Sequence, residues 1–106
     1  MDKRKYKIHL NSNANLKLID HVLFMGQVSA SAANRLYDKL YDAVHSLDFN
    51  PEGRPRYFSS KNAVDDSVYR YKFCAKRHRI VFEILSDTVY IYDVQDCRQH
   101  QSKSLV

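Results

Sequence analysis

The segment from Asn50 to Arg56, Asn-Pro-Glu-Gly-Arg-Pro-Arg, holds both prolines and one of the two glycines of the chain. Proline lacks the backbone donor a helix needs and glycine favours turns, so no regular element crosses this stretch. It divides two kinds of pattern. Upstream, apolar residues recur every three or four positions; downstream, they alternate.

The upstream half opens with a short strand in which Tyr6, Ile8 and Leu10 alternate with Lys7 and His9. Asn13 is placed to cap a helix over about 15–27, whose apolar stripe is Leu16, Ile19, Val22, Leu23 and Met25 and which ends at Gly26 and Gln27. Ser29 or Ser31 caps a second helix bearing Ala33, Leu36, Leu40, Val44 and Leu47. Both stripes, with Tyr37 and Tyr41 beside the second, are expected to pack into the core. Downstream, the pattern predicts strands weakly over 57–60 and strongly over 67–75, 79–85 and 88–95. Lys76, Arg77 and His78 form one tip, and Ser86 with Asp87 a two-residue hairpin turn. The order β-α-α-β-β-β implies an α+β fold, a helix hairpin packed on one face of a mainly antiparallel sheet. A chain of 106 residues holds one core, so residues 1–106 are expected to be a single domain.

The formal net charge is +5 and the pI about 9.3, which favours a polyanionic partner: RNA, DNA or an acidic protein segment. No membrane partner is expected, since the longest strictly apolar run is Val22 to Met25, far short of the ~20 residues that span a bilayer. Lys3, Arg4, Lys5 and Lys7 give a basic start, but the polar Asn11, Ser12, Asn13 and Asn15 stand where a signal peptide is apolar. A cytoplasmic protein is therefore expected. Cys74 and Cys97 form neither a disulfide framework nor a CxxC pair. Cys97 and His100 have a ligand-pair gap with Asp93 and Asp96 nearby, but no second pair closes a zinc site, so no metal or other cofactor is expected. Phosphate loops, nucleophile elbows and zinc-protease motifs are absent.

Chemistry is most legible around 69–79. Tyr69, Tyr71 and Phe73 share one side of a strand, and Arg70 and Lys72 the other. With the aromatics against the helices, the two cations are expected on the open sheet face, where Arg79 and Arg98 can join them to attract a phosphate.

The segment from Ser67 to Gln101, together with the element order and the Pro-Glu-Gly-Arg-Pro connection, resembles toxins of the RelE/ParE superfamily, RelE and YoeB above all. The resemblance implies a type II toxin restrained by a cognate antitoxin and acting on the ribosome, where such toxins cut mRNA without a metal. Arg70 and Lys72 match two RelE lysines, and Arg79 the strand arginine shared by RelE and YoeB. Arg98 matches a late RelE arginine, and His100 the catalytic histidine of YoeB. The implied roles are Arg79 and Arg98 on the scissile phosphate, His100 as general acid or base, and Arg70, Lys72, Lys76 and Arg77 on RNA. Arg56 stands where YoeB has its loop glutamate, with Glu52 close by; Gln101 replaces a YoeB tyrosine, and Ser104 a RelE tyrosine. The alternatives are a ParE-like inhibitor of DNA gyrase and a degenerate toxin that keeps only antitoxin binding.

Overall fold

The computed structural model describes residues 5–57 and 68–97. Strand β1 (Lys7–Leu10) leads into helix α1 (Ser12–Gly26), then α2 (Ala30–His45) and two short 3-10 turns at Ser46–Asp48 and Pro51–Gly53. Strands β2 (Tyr69–Cys74), β3 (His78–Leu85) and β4 (Thr88–Asp96) complete an α+β fold in the expected order. The sheet runs β1-β4-β3-β2, with β1 parallel to β4 and the other two pairings antiparallel.

Local chemistry sets the element ends. The α1 cap is Asn11, not Asn13: its side chain accepts from the Asn13 amide. Ser29 caps α2 by accepting from the Ala32 amide. Asn50 takes a left-handed conformation (φ 52°), which an asparagine tolerates, as the chain turns into Pro51. Ser86, also left-handed, and Asp87 form the β3–β4 turn, and the Lys7 amide donates to the Asp87 carbonyl, tying β1 to that turn.

One sheet face is sealed by the helices. Ile80, Phe82, Val89 and Ile91 are fully buried against Ala14, Ala43, Val44 and Leu47, while Val94 closes a second cluster with Leu18, Leu36 and Leu40. A bulge in β4 makes this possible. Val81 pairs with Asp93 but Phe82 with Ile91, leaving Tyr92 as the extra residue. The bulge resets the alternation so that Ile91 and Val94, three positions apart, both face inward.

The α1 stripe departs from expectation. Its buried line is Ala14 and Leu18, continued by the partly buried Val22 and Met25, whereas Leu16, Ile19 and Leu23 are exposed. Small Ala14 lets the helix lie close to the sheet, and the larger apolar side chains are turned outward. Tyr37 and Tyr41, expected in the core, stack on each other at the surface of α2. Leu18→Ala should accordingly cost about 2–5 kcal/mol and Phe82→Ala about 3–5 kcal/mol, while Leu23→Ala stays within about 0.5 kcal/mol. Urea unfolding of the three variants checks the orientation of α1.

Candidate functional site

Hairpin parity decides what each sheet face carries. Cys74 pairs with His78 across a three-residue loop, so Lys72 lies opposite Ile80 and Arg70 opposite Phe82. Paired residues share a face, and Ile80 and Phe82 face the helices. Arg70 and Lys72 are therefore on the helix side, not on the open face, and the expected cluster of cations around Arg79 is divided. The aromatics Tyr69, Tyr71 and Phe73 occupy the open face instead. The reason is the edge position of β2: the long cationic stems lie along the margin of the core and the heads reach outward. Arg70 donates to the Arg54 carbonyl at 2.7 Å, and Lys72 to the Ser46 hydroxyl at 2.6 Å. Burial, then the neighbouring Arg54, holds the Lys72 ammonium below its ordinary pKa.

Arg79 stands on the open face, opposite Phe73 on one neighbour and Gln95 on the other. Its Nε and Nη2 donate to the Gln95 Oε1 at 3.0 and 2.8 Å. The guanidinium also lies 5.0 Å from the centre of the Tyr57 ring and 5.4 Å from that of Tyr71, within cation–π range. Tyr57 reaches this place because residues 55–57 run along the outer edge of β2: the Tyr57 amide donates to the Tyr69 carbonyl, and the Tyr71 amide to the Pro55 carbonyl. The weak pairing expected over 57–60 is thus seen from Arg56, which bridges to Arg70; residues 58–60 lie outside the described residues.

Gln95 joins two sets of charges. Its Nε2 donates to the Tyr57 hydroxyl and to Asp93 Oδ2, both at 3.0 Å, while Asp93 Oδ1 receives Lys17 of α1 at 2.7 Å. Beside this network is an open cavity of about 590 Å³ lined in part by Lys17, Tyr57, Tyr69, Val81, Tyr92 and Asp93. Tyr69 meets Tyr92 edge to face across it, with ring centres 5.6 Å apart. Loss of solvent, then the hydrogen bond to Glu83, pushes the Tyr92 phenol above its ordinary pKa.

Of the remaining expected site residues, Lys76 is exposed at the β2–β3 tip in a left-handed conformation (φ 70°), beside half-exposed Arg77. His78 is not at the tip; it begins β3 and is buried. Arg98 and His100 lie outside the described residues. Glu52 is exposed on the second 3-10 turn and accepts the Tyr6 hydroxyl. Sequence reasoning weighed Asp93 only as a neighbour of Cys97 and His100 and did not single out Tyr57, Gln95 or Lys17; the polar groups of these four meet only through register and the docking of α1.

The ParE toxin model of type II toxin-antitoxin systems, parDE, matches residues 6–101. The chain belongs to that toxin family, within the RelE/ParE superfamily, and such membership implies a cognate antitoxin partner. No curated protein matches the sequence. Among the described residues, no helix is long and apolar enough to cross a membrane.

Cys74 shares the helix side with Lys72 and donates to the Lys39 carbonyl of α2 at 3.3 Å. Burial raises its thiol pKa more than Lys72 and Lys39 lower it. In a Cys97→Ser variant the thiolate absorbance of folded Cys74 should therefore appear at higher pH than in the same variant in urea; coincident titrations would contradict the docking of β2 on α2.

Proposed function

We propose that this toxin is a ribosome-dependent, metal-independent endoribonuclease that cuts mRNA on the open sheet face. The observation that carries the reading is a fixed guanidinium, Arg79, set among exposed and half-exposed tyrosines on the sheet face opposite the two described helices. Single-stranded RNA is held by just this pairing of chemistries: aromatic rings stack on unpaired bases while cations take the phosphates. RNA supplies its own nucleophile in the 2′-hydroxyl, so the protein needs only proton transfer and charge stabilisation at phosphorus.

In this reading Arg79 stabilises charge on the scissile phosphate, Arg98 assists it, and His100 moves the proton, its ordinary pKa near ~6.5 being suited to that work. Lys76 and Arg77, one loop away from Arg79, hold flanking RNA. Arg70 and Lys72 reach phosphates from the other side of the sheet edge and do not share the scissile group. Buried His78 is no substitute for His100. A second reading, inhibition of DNA gyrase, is favoured by one observation: cations divided between two sheet sides suit a protein that binds a broad polyanionic surface.

A purified translation mixture with a defined message tests the first reading, and DNA supercoiling by gyrase the second. Arg79→Ala should lower single-turnover cleavage on programmed ribosomes by about 10²-fold or more with little change in ribosome binding. His100→Ala should lower it by roughly 10²- to 10⁴-fold. Undiminished cleavage in His100→Ala would move the proton transfer elsewhere, and intact message with inhibited supercoiling would replace the first reading by the second.

The antitoxin segment that fits a basic domain is acidic and partly disordered, folding as it wraps the sheet or helices. The exposed Leu16, Leu23, Phe24 and Val28 offer it apolar contact. Expression of the toxin alone should arrest growth and co-expression of its antitoxin relieve the arrest; normal growth with abundant soluble toxin would mark a degenerate member.

A further inference from the structure

Away from the open face, His21 of α1, His78 at the start of β3 and Asp96 at the end of β4 converge. One ligand atom from each of the three lies within 4.8 Å of the other two. The imidazoles meet nearly at right angles, with ring centres 5.2 Å apart. His78 is only 3% exposed, and among the described residues its buried Nδ1 has no hydrogen-bond partner. A buried polar atom left in that state is uncommon and calls for a ligand or an explanation.

The hydrogen-bond geometry suits metal binding. His21 Nε2 lies 3.0 Å from the Val94 carbonyl. A carbonyl only accepts, so Nε2 carries a hydrogen and Nδ1 is the ring atom left to act as a ligand, the arrangement by which backbone carbonyls orient ligand histidines. Two imidazoles and one carboxylate make a borderline donor set of the kind that selects zinc-like divalent ions over calcium or magnesium.

We propose that His21, His78 and Asp96 bind one divalent transition-metal ion of the zinc class, with solvent completing the coordination, and that the ion ties α1 to the ends of β3 and β4. Zn–N distances of about 2.0–2.1 Å put tetrahedral ligand atoms roughly 3.4 Å apart. Contraction from the observed spacing is a side-chain adjustment of about an ångström. The ligands come from three separated parts of the chain with no CxxC or HxxxH spacing, so no sequence motif announces the site.

The test uses the full chain, with Co²⁺ as a spectroscopic probe and Zn²⁺ as competitor. Wild type should bind one equivalent of Co²⁺ with visible absorption bands that Zn²⁺ removes, and Zn²⁺ should raise the thermal midpoint. His21→Ala and Asp96→Asn, both at half-exposed positions, should remain folded by circular dichroism and bind at least about tenfold more weakly. Absence of stoichiometric binding in wild type overturns the proposal. Unchanged affinity in both variants, which would put the ion on other residues, overturns it equally.

Discussion

The register of β3 between its two antiparallel neighbours governs the rest of the molecule. Ile80 and Phe82, with no exposed surface, fix which side of that strand turns to the helices, and a slip by one residue would exchange the two faces of the sheet. Once that side is fixed, Arg79 and Val81 belong to the other one. Pairing then carries the choice outward: Gln95 and Asp93 of β4 come to the open face with Arg79, and so do Tyr71 and Phe73 of β2. The site is a consequence of where the core residues of a single strand fall.

The bulge at Tyr92 is the complementary device. Without it, strict alternation after Val89 and Ile91 would bring Asp93 to the core and Val94 to solvent. With it, Val94 meets Leu18 and Leu40, and Asp93 reaches Lys17 at the rim of the cavity. One extra residue thus closes the second hydrophobic cluster and supplies the acidic end of the network behind Arg79. It also lets α1 lie alongside β4 beyond the end of β1, where Lys17 and His21 each find a β4 partner.

Element order, the helix hairpin and the three consecutive strands were all legible, because strong periodicity and the proline–glycine run act locally. The two faces of β2 are not legible from composition, because its aromatic residues lie on the open side and its cations on the helix side. Loop parity decides them: a hairpin loop with an odd number of residues pairs even positions with even, so Lys72 must share a side with Ile80 and not with Arg79. Three residues, Ala75 to Arg77, separate Cys74 from His78. On α1 the misleading feature was size, since the contact with the sheet is made through Ala14 while Leu16 and Leu23 face solvent. The polar partners of Arg79 could not be read along the chain, being brought together only by β3–β4 register and the docking of α1.

Gln95 between Arg79 and Asp93 has electrostatic meaning. Had the carboxylate stood at position 95, it would have formed a direct pair with the guanidinium and spent much of its field on a neighbour. The amide orients Arg79 through two hydrogen bonds to Oε1 and passes its own donors to Asp93 and Tyr57, while the charge of Asp93 is met by Lys17 at 2.7 Å. Among the described residues no carboxylate pairs with Arg79. Among those residues the guanidinium is held in place by neutral groups and by tyrosine rings, which fix its direction without cancelling its charge. A cation held in that way would meet developing negative charge without reorganising first, which is what the role proposed for Arg79 requires.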